Sequence, residues 1–278
     1  MTNSNIHNDF HHMSFKVLFT LLICQSVFQS NSVNSTETHA ENRTEYHAPY
    51  TKKLPNIDGV ADEHIWQLAQ WQNINHRWLG PEYSSKDFQG RYKVVWSESQ
   101  LHLLVEIVDD ILIDTHRNPL TQYWDDDTLE IFLDEDFSGG EHQYNHNAFA
   151  YHMSLDNQAI DIGTNKLAQS YSHHVESRWK QQGSKLIWEL SIDIYQDNYV
   201  DEDVEQYQSD PRGKNQDQNN NQAIELFAGK VMGLMVAYCD NDGSELRENF
   251  IGSESAGNKS PDRGWKDAGM FGKLILSK

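Results

Sequence analysis

Cysteine is almost absent from this chain: two residues in 278. Cys24 lies in an apolar N-terminal run that a leader would carry away, which leaves Cys239 without a partner and excludes an internal disulfide. A single cysteine inside a strand reads as a small buried hydrophobe. Positive charge is also scarce. Lys and Arg number 22 against 42 Asp and Glu, a formal net charge of -20. Such a surface repels nucleic-acid phosphates and anionic membranes, and suits a neutral ligand such as a glycan, or divalent cations. The apolar run Val17 to Phe28 is too short for a stable membrane span. The Walker loop, Gly-x-Ser-x-Gly, His-Glu-x-x-His and Gly-x-Gly-x-x-Gly are all missing, which removes the common catalytic and nucleotide-binding signatures.

What is present divides into three parts. Residues 1–32 read as a secretory signal peptide: Lys16, the apolar run, then Ser30-Asn31-Ser32, with Met13 an alternative start. Ile23 before Cys24 is bulkier than a lipoprotein signal allows. The expected location is therefore exported, periplasmic or extracellular. Residues 33–53 are polar and aperiodic, a flexible tail. Residues 54–278 form one domain, interrupted at 201–222 by a stretch of Asp, Glu, Asn and Gln that reads as a disordered surface insertion.

Within the domain the apolar period is two. Tyr92, Val94 and Trp96 alternate, Ser97 to Gln100 supplies a turn, and Leu101, Leu103, Val105 and Ile107 follow: a hairpin. Further strands are expected at 128–134, 148–155, 186–194, 231–238 and 272–276. Asp62 is placed to cap a short helical stretch that turns Ile65, Trp66 and Ala69 inward. Many short strands and little helix predict an all-β fold, an antiparallel β-sandwich of the immunoglobulin-like or jelly-roll-like kind. Eight Trp, twelve Tyr and eleven Phe compensate for a hydrophobic content of only 37%.

The densest chemistry lies at Trp124-Asp125-Asp126-Asp127-Thr128-Leu129-Glu130. Leu129, Ile131 and Leu133 share one strand face, and Thr128, Glu130 and Phe132 the other. A flat ring beside fixed carboxylates suits a sugar-binding surface. The three aspartates read either as hard-oxygen calcium ligands or as a solvated acidic turn. Glu130 with Asp127 is the pair a glycosidase would use, but three positions apart at one strand start they offer little cleft. His142, His146, His152, His173 and His174 lack zinc spacing and read as solvated or packed. Trp265, among glycines and charges, sits on a loop and needs a partner: the domain body or a ligand.

These residues carry a family pattern. Ile57-Asp58-Gly59-x-x-Asp62-x-x-x-Trp66, the 94–109 hairpin, Trp124-x-x-Asp127-x-x-Glu130-Ile131-Phe132-Leu133-Asp134, Gly233 to Gly243 with Arg247, and Trp265-x-Asp267-x-x-x-Phe271-Gly272-x-Leu274-x-Leu276 occur in the order of the family 9 carbohydrate-binding modules. From residue 54 onward, apart from the insertion, the chain resembles that family. The resemblance implies a β-sandwich that binds a glycan or oligosaccharide without hydrolysing it, alone or beside a separate glycoside hydrolase in polysaccharide catabolism. It places the clamping tryptophans on Trp124 and Trp265 and the hydroxyl-binding glutamate on Glu130. The family's arginine belongs in the strand after Glu130, where this chain reads Asn147 to His152 instead, so Tyr151 or His152 would substitute. Asn258 and Asp262 (with Lys266) are expected to contribute from the Trp265 loop. Structural calcium is implied as well, with Asp58, Asp109, Asp127 and Asp134 as its ligands. Two alternatives stay open: a haem-binding electron-transfer sandwich using Met153, Met232, Met235 or Met270 with a histidine or lysine, and a glycosidase with Glu130 as its acid.

Overall fold

In the computed structural model, residues 43–201, 221–257, 260 and 263–278 are described. The expected signal peptide, the expected tail up to residue 42, most of the expected insertion, Asn258 and Asp262 lie outside them. Among the described residues no helix is long and apolar enough to cross a membrane.

The domain is a β-sandwich. The larger sheet runs in the order β1 (Glu45–Pro49), β14 (Gly272–Ser277), β12 (Val231–Asp240), β6 (Thr128–Asp134), β7 (Phe149–Ser154), β8 (Ala159–Ile162) and β9 (Ala168–Ser170); β13 (Asn249–Gly252) pairs with the far half of β12, and β3 (His76–Leu79) with β13. The smaller sheet is β10 (Val175–Gln182), β11 (Lys185–Asp193), β5 (Gln100–Asp109), β4 (Phe88–Trp96) and β2 (Gln72–Ile74). Pairing is antiparallel except for β1 on β14, which is parallel.

The alternation read in the sequence fills the space between the sheets. Tyr92, Val94 and Trp96, then Leu101, Leu103, Val105 and Ile107, then Trp188, Leu190 and Ile192 meet Leu129, Ile131 and Leu133 in one buried cluster. Full burial of each aliphatic side chain contributes about 1.5–3 kcal/mol. The methionines considered as haem ligands are packing residues: Met153 and Met232 in this core, Met235 and Met270 in a second cluster on the outer side of the larger sheet.

Three expectations are corrected. The tail does not extend to residue 53: Tyr46 and Ala48 are buried in β1, and the Tyr46 hydroxyl accepts the Val94 N–H at 3.0 Å. Asp201, expected in the insertion, is held by the domain: its carboxylate accepts from Thr164 and from the Tyr171 hydroxyl at 2.6 Å, and Asn221 exchanges two hydrogen bonds with Val200. The helical stretch is a single 3-10 turn, His64–Gln67, preceded by Glu63 rather than capped by Asp62. It still buries Ile65, Trp66 and Ala69, against the outer face of the smaller sheet.

Two positions test this packing. A Cβ on Gly252 would sit 2.0 Å from the Trp78 ring, so Gly252→Ala is expected to cost about 1–3 kcal/mol in chemical denaturation. His102 is fully buried between the Ser191 and Ser97 hydroxyls, at 2.7 and 3.0 Å, and burial lowers its pKa to about 4. The fold therefore binds this proton less well than the unfolded chain, and stability is lost as pH falls from the free-histidine range toward 4. At about 1.4 kcal/mol per unit, His102→Asn should lose roughly 3 kcal/mol less stability than wild type between pH 7 and 4. Equal losses in the two proteins would refute this origin.

Candidate functional site

The outer face of the larger sheet carries the even-numbered residues of β6 and β7. Glu130 and His152 are cross-strand partners there, and Ala237 of β12 faces Glu130 from the other side. Around Glu130 a polar centre forms. The Cys239 thiol donates to Glu130 Oε1 at 2.9 Å, Arg247 Nη1 lies 3.6 Å from the same oxygen and 3.0 Å from the Cys239 sulfur, and His152 Nε2 lies 3.4 Å from Oε2. Arg247 also stacks over the Phe250 ring at 4.2 Å. Glu130 is 1% exposed. Arg247, with more of its side chain open, forms the accessible part of the centre.

Cys239 is thus more than a packed hydrophobe. Burial pushes its thiol well above the usual range, so it stays protonated and bridges the carboxylate to the guanidinium. An arginine does stand beside Glu130, but it comes from the β12–β13 loop and not from β7. Tyr151 cannot take the place of one in β7. It occupies the opposite face of β7, inside the sandwich, where its hydroxyl meets His174 Nδ1 at 2.9 Å. A period of two allows only one of Tyr151 and His152 to reach the outer face, and it is His152.

Trp124 stands beside this face and the turn that carries Trp265 packs on it; each ring is 38% exposed. Trp124 packs edge-on against Tyr123 at 4.8 Å, and Tyr123 packs edge-on against His152 at 4.7 Å, so the ring is anchored to Glu130's cross-strand partner. Trp265 ends the 3-10 turn Arg263–Trp265. The preceding Gly264 lies on Met235, where a Cβ would approach the methionine Cε to 2.3 Å, and its carbonyl accepts from His142 Nε2 at 2.8 Å. Met235 stands two residues from Ala237 along β12, so this turn is fixed roughly 7 Å along the strand from the level of Glu130. Lys266 Nζ sits 3.9 Å from the centre of the Trp265 ring.

The three aspartates separate into three jobs, and none is solvated. Asp125 accepts from Gln122 at 2.8 Å. Asp126 accepts from the Thr115 and His116 backbone N–H groups, both at 2.8 Å. Asp127 joins Asp109 and Asp240: all three are buried, with carboxylate oxygens within 4.8 Å of one another. Burial, reinforced by the charge of Asp109, pushes Asp127 up to about 9 and Asp240 to about 8; burial, with Asp242 and Asp110 nearby, pushes Asp109 to about 6. This is the donor set a hard divalent cation selects. The other two expected calcium ligands do not converge on it. Asp134 closes its own loop by accepting from Gly139 N at 2.7 Å, and Asp58 caps Val60 N at 3.0 Å near Glu189. Asp240 escaped selection from sequence because one side of the trio comes from a distant strand end; the Asp240-Asn241-Asp242 run was its only visible trace.

Asp127, just before β6, is gathered with Asp109 and Asp240, whereas Glu130 meets His152 and Cys239, so the two carboxylates belong to different clusters, in line with the little cleft expected of them.

The family described as carbohydrate family 9 binding domain-like matches residues 57–278. The chain belongs to that family. Family 9 modules of known structure share its fold. The module from Caldicellulosiruptor kristjanssonii in complex with cellotriose superimposes with a TM-score of 0.58 at 18% identity, covering 84% of this chain and 94% of that one. The same organism's module in complex with glucose gives 0.59 at 17% identity, over 84% and 96%. Among characterised relatives, endo-1,4-beta-xylanase A of Thermotoga maritima is 23% identical over 224 residues, which are 81% of this chain and 17% of the xylanase. This family 9 chain therefore spans under a fifth of that relative's length.

Proposed function

We propose that this protein is an exported, non-catalytic glycan-binding protein that holds a sugar between Trp124 and Trp265 on the outer face of the larger sheet. The observation that carries the reading is the charged centre Arg247–Glu130–His152 on a face flanked by two part-exposed indoles. The C–H face of a pyranose stacks on an indole, while its hydroxyls need fixed donors. Arg247 supplies those donors, and the buried Glu130 and Cys239 hold the guanidinium in place. The likeness to modules complexed with glucose and cellotriose favours a glucose-type sugar, and the likeness to a xylanase favours a role in polysaccharide breakdown beside a separate hydrolase. Calorimetric titration with glucose and cellotriose tests the reading. Saturable heat is expected with both, and no response to either, nor to any member of a glycan array, would overturn it.

Calcium belongs to the same proposal, held by Asp109, Asp127 and Asp240. Bound there, it would neutralise three clustered carboxylates and tie the start of β6 to the ends of β5 and β12. The Asp127 carboxylate also accepts the Asn241 and Ile113 N–H groups at 2.9 and 2.6 Å, so the trio organises the loops on either side of Trp124 and Arg247.

A further inference from the structure

The smaller sheet also has an outer face, and only half of it is covered. Ile65 and Trp66 pack over Val95, Leu104 and Ile187. Beyond them lies an open groove of about 610 Å³, lined by the polar Asn73, Gln89, Arg91, Glu106 and Lys185 and, on its apolar part, by Tyr83 and Phe88 among others. A smaller hollow of about 290 Å³, containing Trp71 and Lys93, shares Glu106 with it. We propose that this groove is a second oligosaccharide-binding site for a neutral sugar chain, separate from the Trp124–Trp265 face.

The chemistry of the walls selects the ligand. Asn73 and Gln89 are exposed amides, and an amide both donates and accepts, as a sugar hydroxyl does. The charged groups are already matched: Glu106 accepts from Arg91 at 2.9 Å and from Lys185 at 2.7 Å. Arg91 is further held 4.1 Å over the Trp71 ring, and its Nε is buried with no hydrogen-bond partner among the described residues. The Arg91 and Lys185 side chains of the wall are thus held in place before any ligand arrives, which reduces the ordering cost of binding. An anionic ligand would have to break the Glu106 bridges, and in the smaller hollow it would meet Asp62 and Glu63 as well. A neutral polyol meets neither obstacle. Both volumes together fall within the range of ligand sites.

The proposal rests on the glycan-binding reading but not on the tryptophan face. Calorimetry of the full chain with cellohexaose and xylohexaose separates the two. Two sites per chain are expected in the wild type. The double variant Trp124→Ala/Trp265→Ala should keep one site, in which the Trp71 indole N–H resonance still shifts with sugar. Asn73→Ala/Gln89→Ala, at two exposed positions, should keep the tryptophan site and weaken the groove by about tenfold. A single site that vanishes in the tryptophan double variant overturns the groove alone. A single site weakened only by Asn73→Ala/Gln89→Ala supports the groove and overturns the tryptophan face, and silence with both hexaoses overturns both.

Discussion

Trp124→Ala/Trp265→Ala is expected to weaken cellotriose binding at the outer face of the larger sheet by about a hundredfold. Each indole presents one rigid face to the sugar, and loss of one stacking surface at about 1.4 kcal/mol is a factor of ten. If the rings act as independent walls, each single variant loses about tenfold and the double variant the product. The rings are part-exposed and lie outside the inter-sheet core, so the variants should melt with the wild type to within about 0.5 kcal/mol. That separates a binding defect from a folding defect. The comparison with Arg247→Ala is informative, because Arg247 shares its contacts with Cys239 and Glu130: its loss leaves a buried carboxylate short of a partner and should lower stability and affinity together. Binding at that face by the double tryptophan variant within threefold of wild type would remove the clamp.

Calcium removal is the second large effect. Three buried carboxylates within 4.8 Å repel one another, and burial raises the cost of keeping them charged. A cation that binds only the folded state adds about 4 kcal/mol at a thousandfold excess over its dissociation constant. In a domain of this size that corresponds to a Tm about 10 °C lower in EGTA than in excess calcium. Asp127→Asn should abolish most of the difference. In EGTA the same variant is expected to be about 1–3 kcal/mol less stable than wild type, because the amide keeps only one of the two oxygens that accept from Asn241 and Ile113 and turns its NH2 group toward the other N–H. Identical melting curves with EGTA and with calcium, together with no calcium binding by calorimetry, would overturn the assignment.

The strands legible in the sequence are those with both neighbours in a sheet and one face in the core. β4, β5, β6 and β11 show alternation because one face is packed against the opposite sheet, and β12 reads as a continuous apolar run because both of its faces are buried. The overlooked strands lie at edges or are very short. In β10, Val175 to Gln182, exposed Glu176, Arg178 and Lys180 interrupt the apolar residues, and in β1 only Tyr46 and Ala48 turn inward. An edge strand buries little and draws its hydrogen bonds from a partner distant in sequence, so local pattern does not reveal it.

By itself, the sequence determined the sandwich and the residues at its outer face. Period two through β6 put Glu130 and Phe132 opposite Leu129 and Ile131, and the ordered motifs located Trp124 and Trp265. Tertiary structure alone decided which side chains meet. It turned Tyr151 into the core and His152 outward, brought Arg247 from a loop more than a hundred residues away to the carboxylate of Glu130, and gathered Asp240 with Asp109 and Asp127 while leaving Asp58 and Asp134 apart. The physical reason is the register between strands. Alternation fixes the face on which a residue lies, but only the pairing of β12 with β6 and of β6 with β7 fixes its neighbours.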